Sequence, residues 1–258
     1  MEITDFTTDL FRLDGKVAIV TGGTTGLGQS FTLALAAAGA DVFVPGLDDD
    51  EGATAALVEA RGRKMEFMAA DLAAPGVPQQ IVDRCLERFG AVDILVNSAG
   101  ICLLDDVESF GREKWDPMIA VNLTAAFELG HAVASQMIAR GAGKIVNIAS
   151  LFSFLGGLSS PAYAATKAGI VGYTKAYCDE LGQHNVQVNA LAPGYIRTAI
   201  TEASRADPEI NRRIVEHIPA ARWGDPVDLM GALVFLCSRA ADYISGHVLV
   251  VDGGYLVR

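Results

Sequence analysis

The feature that most constrains the fold is a regular alternation of short β-rich apolar runs with longer Ala-rich segments of helical period. The first pair is a strand at 17–21 and a helix at 26–38 that ends at Gly39. Further strand patterns lie at 42–45, 65–69, 93–97, 144–149, 186–191 and 247–251. Helical patterns lie at 51–61, 78–89, 112–140 and 162–181, around residue 210, and at 226–237. This order predicts an α/β fold over residues 1–258, a single doubly wound Rossmann-type domain. Its parallel sheet has about seven strands, with helices on both faces and ligands at the carboxyl ends of the strands.

A glycine-rich turn joins the first predicted strand to the first helix, in the run TGGTTGLG at 21–28. Glycine allows a tight turn and lets the backbone approach a pyrophosphate at the positive end of the helix. A simple connecting turn is the alternative, and about half of such isolated matches are of that kind. Its place after the first strand of an α/β alternation favours a dinucleotide site.

The residues after the second strand, which should meet the adenosine ribose, are Gly46, Leu47 and three aspartates at 48–50. Gly46 has no side chain that would choose between the two nicotinamide dinucleotides. The neighbourhood offers no Arg or Lys for a 2′-phosphate, and the aspartates would repel one. We therefore expect NAD as the preferred cofactor, with NADP as the alternative. An equally weighted alternative is that the aspartates only cap the next helix.

Tyr163 and Lys167 are four residues apart on a predicted helix, so their side chains share one face. A neighbouring ammonium group favours the phenolate and lowers the pKa of a tyrosine from about 10. Such a phenol can exchange a proton with a substrate oxygen. On spacing alone an ordinary amphipathic helix is the better explanation, but Ser150 ends a predicted strand where open α/β sheets build their sites.

Charge and composition exclude several partner classes. The formal net charge is -11, which argues against nucleic acid and anionic lipid as partners. The four cysteines and four histidines are scattered and predict neither a metal site nor a disulfide framework. No apolar run approaches the roughly 20 residues that cross a bilayer, and the N-terminus does not resemble a signal peptide. We expect a cytoplasmic protein with a small-molecule substrate.

Several ordered motifs resemble those of the short-chain dehydrogenases/reductases, from about residue 13 to the end of the chain. The segment 21–28 resembles the TGxxxGxG cofactor turn, and 97–100 (NSAG) resembles the NNAG segment. Ser150, Tyr163 and Lys167 match the serine and YxxxK of the catalytic set, and Asn122 matches its fourth member. The segment 193–198 resembles PGxIxT.

The resemblance implies an NAD(P)-dependent enzyme that interconverts a secondary alcohol and a ketone. It implies that Tyr163 exchanges the proton, Lys167 lowers the tyrosine pKa and binds the nicotinamide ribose, Ser150 orients the substrate, and Asn122 holds a relay water. It also implies a homotetramer and a mobile substrate loop at 198–218. The implied cofactor-binding residues are Gly22, Thr24, Thr25, Gly26, Leu27, Gly28, Gly46, Leu47, Asp71, Leu72, Asn97, Ala99, Gly100, Tyr163, Lys167, Pro193, Gly194, Ile196 and Thr198.

The C-terminal half resembles the bacterial sugar-acid branch of the family, such as 2-deoxy-D-gluconate 3-dehydrogenase. That branch carries arginine after the NNAG segment and again after a Gly-Gly turn, where this chain has 101–106 (ICLLDD) and 158–160 (LSS). Because arginine is the usual planar partner of a carboxylate, its absence favours a neutral polyol, ketose or hydroxy-ketone. Arg197 or Arg205 could still supply a cation, although solvated surface arginine is at least as good an explanation. Four residues are candidates for an apolar wall, but core or subunit packing explains them better: Leu103, Leu104, Phe152 and Phe154.

Two other functions fit the same fold. A catalytically silent regulator could bind a nucleotide, but such proteins often lack one member of the set that this chain holds complete. A methyltransferase-like nucleotide binder is disfavoured by the Tyr163–Lys167 pair and by the spacing of the glycine turn.

Overall fold

The computed structural model describes residues 6–258, and one parallel seven-stranded sheet forms their centre in the order β3-β2-β1-β4-β5-β6-β7. The strands are β1 Val17–Val20, β2 Asp41–Gly46, β3 Met65–Ala69, β4 Ile94–Asn97, β5 Gly143–Ile148, β6 Val186–Pro193 and β7 Val248–Val251. The predicted fold class is confirmed. That the whole chain is one domain, and that 198–218 is mobile, stay predictions.

Helices cover both faces of the sheet. They are α1 Gly26–Ala38, α2 Ala53–Glu59, α3 Val77–Phe89, α4 Arg112–Ile119, α5 Ala125–Arg140, α6 Pro161–Leu181, α7 Glu202–Ala206, α8 Pro208–His217 and α9 Val227–Cys237. On one face Phe31 and Leu35 of α1 share a buried core with Leu233 of α9. On the other face Ile81 of α3 and Leu129 of α5 lie in a second core. Burial of these apolar faces, at about 25 cal/mol per Å², stabilises the layers.

The strand order reverses between β1 and β4, because β2 and β3 extend to one side of β1 and β4 to β7 extend to the other. Adjacent crossover connections diverge at such a point, which leaves a crevice at the carboxyl ends of the strands. The register places Val20 beside Val96, so the glycine turn and the segment after β4 leave the sheet side by side. The fold therefore opens a site where the motifs at 21–28 and 97–100 meet.

The predicted helix at 112–140 is interrupted by a π-helical segment, Ala120–Thr124. Such a segment inserts one residue into the helical repeat and re-aims a side chain, and it is common at functional sites. Periodicity alone could not show it, because the flanking helices keep the pattern. By length and composition the run Arg112–Arg140 could cross a membrane, but 44% of its most apolar 18-residue stretch is buried in the fold. Core helices pass the same test, so the expectation of no membrane partner stays a prediction.

Candidate active site

A cleft of about 430 Å³ opens at the carboxyl ends of β1, β2, β4, β5 and β6. Most of the predicted cofactor residues line it. They are Gly22, Thr24, Thr25, Gly26, Leu27, Gly28, Gly46, Leu47, Asp71, Leu72, Ala99, Gly100, Tyr163, Lys167, Pro193, Gly194, Ile196 and Thr198. Ser150 lines the cleft as well. The predicted residues that do not line it are Asn97 and Asn122.

The glycine turn is shaped by close backbone contact. A Cβ on Gly28 would lie 2.1 Å from the carbonyl oxygen of Gly22, so no other residue fits there. The turn leads into α1, whose N-cap Thr25 makes no side-chain capping bond. The first amide groups of α1 therefore remain available to an anion, and the helix dipole favours one at this end. These features fit the pyrophosphate of a dinucleotide.

The adenosine end of the cleft has acidic and apolar walls. Gly46 ends β2, and the next residue, Leu47, is 83% exposed. Asp49 accepts a hydrogen bond from the Glu51 amide, and Asp50 accepts one from the Thr54 amide at 3.1 Å. These two aspartates therefore cap the next helical segments, as the alternative interpretation held. Asp48 lines the cleft itself, and its Oδ1 accepts a hydrogen bond from the Asp50 amide at 3.0 Å.

Tyr163, Lys167 and Ser150 meet at the other end of the cleft. The Lys167 side chain is buried, and its Nζ donates to the Ile148 carbonyl at 2.7 Å. That nitrogen lies 5.5 Å from the centroid of the Tyr163 ring. Phe152 packs edge-on against the same ring, with centroids 5.8 Å apart, and so fixes its plane. The helix α6 thus brings Tyr163 and Lys167 to one face, and β5 delivers Ser150 beside them.

Burial controls the protonation of this pair. It raises the pKa of Tyr163 to about 12, and the nearby Cys102 thiol adds to the rise while a hydrogen bond with Ser150 opposes it. It lowers the pKa of Lys167 to about 8, an effect that Cys102 partly offsets. The phenol is therefore neutral near neutral pH without cofactor, and Lys167 alone does not make it a phenolate. A positively charged group bound beside the ring would lower the tyrosine pKa.

Asn122 lies on the π-helical segment and is buried. Its Nδ2 donates to the Ile101 carbonyl and its Oδ1 accepts from the Ile101 amide, both at 2.8 Å. This pair of bonds holds the segment that follows β4 against the helix. A Cβ on Gly100 would lie 3.3 Å from the Asn122 oxygen and 3.8 Å from Lys167 Nζ, so the asparagine sits directly behind the cleft wall.

Asn97 is buried below the cleft wall. Its Nδ2 donates to Asn147 Oδ1 at 2.8 Å, and the Asn147 amide donates to Thr174 Oγ1 at 3.0 Å. This chain of bonds links β4, β5 and α6. The structure therefore gives Asn97 a place in the support of the site, whereas the prediction placed it on the cofactor wall.

The two candidate cations for the substrate lie elsewhere. Arg197 and Arg205 line a separate cleft behind the segment that follows β6. Among the residues that line the active-site cleft, Lys167 is the only cation. Of the proposed apolar wall, Leu103 is half-buried, Leu104 and Phe154 are exposed, and Phe152 packs on Tyr163.

Several further residues of the site carry no motif and were not predicted. Cys102 lies close enough to influence the protonation of Tyr163 and Lys167. Ser153 Oγ donates to the Lys167 carbonyl at 2.6 Å and ties the loop after β5 to α6. The cleft is completed by residues next to the motifs: Ala70, Ser98, Ile101, Val121, Ile148, Ala149, Ala199, Ile200 and Thr201. Their position next to motif residues in the sequence is the signal that could have identified them as part of the cleft. Within residues 6–258, no group of three or more His, Cys, Asp or Glu side chains is arranged to hold a metal ion.

Comparison with known proteins relates this geometry to dehydrogenases. A family model described as enoyl-(acyl carrier protein) reductase matches residues 22–256. The chain is 60% identical over 253 residues to the uncharacterized oxidoreductase YgcW of Escherichia coli K12, covering 98% of this chain and 97% of that protein. It is 45% identical over 251 residues to the 2-dehydro-3-deoxy-D-gluconate 5-dehydrogenase of the same strain, covering 96% and 98%.

A solved structure extends the match to three dimensions. The gluconate 5-dehydrogenase of Burkholderia cenocepacia, in complex with NADP and tartrate, superposes with a TM-score of 0.92 at 37% identity. The alignment covers 97% of this chain and 98% of that one. The cleft described above thus lies in a fold that binds a nicotinamide dinucleotide in a relative.

Proposed function

Because this chain belongs to the short-chain dehydrogenase/reductase family, and is an NAD(P)-dependent oxidoreductase for a secondary alcohol and a ketone, we propose that its substrate is a sugar acid. The observation that carries the proposal is the near full-length identity to the 2-dehydro-3-deoxy-D-gluconate 5-dehydrogenase of E. coli. No comparison supports a catalytically silent regulator. The hydroxyl groups of Ser150 and Thr198 give the cleft donors and acceptors for a polyhydroxylated chain.

A neutral polyol, ketose or hydroxy-ketone is the second candidate, and the charge of the cleft favours it. No arginine is among the residues that line the cleft, and Lys167 is buried at its catalytic end. A carboxylate bound there would lack the bidentate partner that usually recognises it. The two candidates differ in one charge, so kinetics can separate them.

The test is an initial-rate panel of matched pairs, each a sugar acid beside the polyol or ketose of the same carbon skeleton, with NAD and NADP in parallel. For a sugar-acid enzyme we expect kcat/KM to favour the acid by at least about tenfold, the discrimination that a missing polar contact produces. Turnover restricted to the neutral members would contradict the proposal and support the second candidate. Turnover of neither class would contradict both.

We further propose how the residues divide the chemistry. Tyr163 donates its phenolic proton to the ketone oxygen in reduction and takes it back in oxidation, while Ser150 holds that oxygen by a hydrogen bond. The nicotinamide ring, when bound, accepts or gives the hydride. Lys167 would bind the adjoining ribose and would exchange protons between Tyr163 and a water held by the buried Asn122. The proximity of Tyr163, Ser150 and Lys167 at one end of the cleft supports this division.

NAD is the proposed cofactor in preference to NADP. Asp48 lines the adenosine end of the cleft, and no Arg or Lys lines that end among the described residues. A 2′-phosphate would lie near the Asp48 carboxylate with no cation to neutralise it. The cleft would screen the repulsion between the two negative charges only weakly. The relative from B. cenocepacia binds NADP, so the preference needs its own measurement.

Fluorescence titration with NADH and NADPH measures that preference. We expect tighter binding of NADH, and we expect Asp48→Asn to narrow the gap because it removes the repelling charge. Asp49→Asn is the matched control, since Asp49 is adjacent and its carboxylate caps the following turn. Tighter binding of NADPH by the unaltered protein would contradict the proposal.

We propose that the chain forms a homotetramer that uses the outer face of α5 and α6. Phe127 on α5 is 45% exposed, and its ring lies 6.2 Å from that of Tyr173 and 6.1 Å from that of Tyr177 on α6. Exposed aromatic clusters of this kind are enriched at interfaces. Light scattering of the unaltered protein should give the mass of four chains, and light scattering of Phe127→Glu should give a smaller mass. Leu57→Glu, at a residue 44% exposed on α2, should leave the assembly intact. A monomeric unaltered protein would contradict this proposal.

A cytoplasmic location and a mobile segment at 198–218 complete the proposal. All four cysteines are free thiols, which is typical of a reducing compartment. The segment carries two short helices and the exposed Ile200 over the cleft, and its closure would exclude water from the reacting atoms. Cell fractionation tests the location. Hydrogen exchange of 198–218 with and without cofactor tests the mobility, and equal protection in both states would contradict it.

A further inference from the structure

We propose that a second cleft, behind the segment that follows β6, binds a small monocarboxylate. This cleft has a volume of about 360 Å³. It is lined by Arg197, Arg205, Asn211, Val215, Ala221, Arg222 and Trp223. Ile196 and Thr198 line the active-site cleft while Arg197, between them, lines the second one. The extended backbone therefore separates the two clefts, since successive side chains point to opposite sides.

The charges of the second cleft leave one cation in excess. Arg197 Nη1 donates to both oxygens of Asp225 at 2.8 Å, and Arg222 pairs with Asp228 at 2.7 Å. Arg205 forms no ion pair with any residue between 6 and 258. Three arginines and two carboxylates leave a local charge of +1, on a chain whose formal net charge is -11. A cationic cleft on such an acidic protein attracts small anions selectively.

The hydrogen-bond donors of the cleft are also incompletely used. Arg205 Nη2 donates to the Thr198 carbonyl at 3.1 Å, and Arg205 Nε is buried with no partner. Asn211 Oδ1 accepts from Trp223 Nε1 at 2.7 Å, and its half-buried amide nitrogen has no hydrogen-bond acceptor among residues 6–258. A buried donor without a partner is rare in folded proteins, and a ligand that draws the Arg205 guanidinium towards itself would give Nε the partner it lacks.

The occupant follows from charge and shape. One excess positive charge matches a singly charged anion better than a doubly charged phosphate. The planar guanidinium of Arg205 fits the two oxygens of a carboxylate. Val215 supplies apolar surface for a short carbon chain, beside the largely buried Trp223. A carboxylate of a few carbon atoms satisfies all three requirements.

Binding there would reach the active site through Arg205. The Arg205 side chain donates a hydrogen bond to the Thr198 carbonyl, and Thr198 also lines the active-site cleft. A carboxylate that draws the guanidinium towards itself changes this anchor. We therefore expect the carboxylate to alter NADH affinity about fivefold, at the lower end of usual coupling between sites.

Tryptophan fluorescence tests the proposal without any turnover, so its failure is distinguishable from failure of the proposed function. The chain has two tryptophans, and Trp115→Phe leaves Trp223 as the sole reporter in the second cleft. We expect a saturable change with sodium propanoate, which has no hydroxyl to oxidise, and a weaker one with inorganic phosphate at equal ionic strength. Tyr163→Phe should leave the propanoate response unchanged.

Charge variants locate the binding. Arg205→Met should weaken propanoate at least about tenfold, the loss of a charge-assisted bond, whereas Arg205→Lys should retain part of it. Arg213→Met, an exposed cation on α8 outside the cleft, is the control and should have no effect. A response equal in Arg205→Met and Arg213→Met, or no saturable response at all, would overturn the proposal. Tighter binding of phosphate would overturn the choice of a monocarboxylate.

Discussion

The catalytic centre and the segment after β6 border the same cleft but are held in different ways. Asn122 and Lys167 are 2% and 5% exposed, and each bonds to the backbone of a neighbouring element. The later segment is held at its rim by ion pairs such as Arg197–Asp225, whose side chains are 44% and 42% exposed, and its Ile200 is 66% exposed.

The difference separates two tasks. Proton transfer needs fixed geometry and a low dielectric, which buried hydrogen bonds to β5 and the π-helical segment provide. Recognition of different substrates needs a surface that can change without unfolding the sheet, and exposed ion pairs contribute little to stability. We infer that substitutions in the centre abolish chemistry or stability, and that those in the later segment tune selectivity.

The largest effect should come from the centre, at the group that moves the proton. Tyr163→Phe removes the phenolic hydroxyl but keeps the ring that packs on Phe152. We expect kcat to fall by about 10²–10⁴, the usual contribution of general acid–base catalysis, with NADH affinity nearly unchanged. Stopped-flow turnover and fluorescence titration measure the two quantities. Tyr243→Phe, at a fully exposed tyrosine, is the control, and retained turnover in Tyr163→Phe would refute the assignment.

A buried asparagine and a rim asparagine give the next contrast. Asn122→Ala removes two bonds of 2.8 Å to Ile101 and leaves that backbone unpaired, so the free energy of unfolding should fall by about 2–3 kcal/mol. Asn211→Ala removes one bond to Trp223 in the second cleft, and about 1 kcal/mol should be lost. Urea unfolding measures both. Equal losses would show that the two regions are held alike.

The same contrast explains what could be predicted from the sequence. The glycine turn and the Tyr163–Lys167 pair depend on local spacing, on a strand end or on one helical face, and the structure places both in the cleft. The sheet followed from a periodicity that seven strands repeat. These features are determined by neighbours along the chain.

What could not be predicted depends on contacts between distant residues. The π-helical segment is stabilised by the bonds of Asn122 to Ile101, 21 residues earlier, which no periodicity shows. The burial of Asn97 needs Asn147, 50 residues later. The positions of Arg197 and Arg205 follow from the direction in which an extended segment leaves β6. Motif spacing and the family resemblance therefore named the candidate catalytic residues, and left open which side of the cleft each surface cation faces.

The pH dependence should sharpen the difference between the two directions of the reaction. Burial raises the pKa of Tyr163 to about 12, so the phenol is protonated near neutral pH and must lose its proton before it can accept one from an alcohol. Alcohol oxidation should therefore accelerate with pH, by at most about tenfold per unit between about pH 7 and 9. Ketone reduction, which uses the protonated phenol, should not. Initial rates in both directions over this range are the measurement, and an oxidation rate independent of pH would contradict the protonated ground state.

The smallest effect is expected at the exposed ion pairs of the later segment. Arg197→Met breaks the pair with Asp225, whose charge stays solvated, so the free energy of unfolding should change by less than about 1 kcal/mol. The same substitution at Arg140 breaks a pair with Asp93, which is only 9% exposed and would keep only the 3.4 Å pair with Lys16 and the bond from the Val17 amide. Arg140→Met should therefore cost more, and its cost should depend less on salt. Urea unfolding at low and high salt compares the two variants. If Arg197→Met cost as much as Arg140→Met, the segment after β6 would be part of the rigid framework, and its proposed role in selectivity would lose its physical basis.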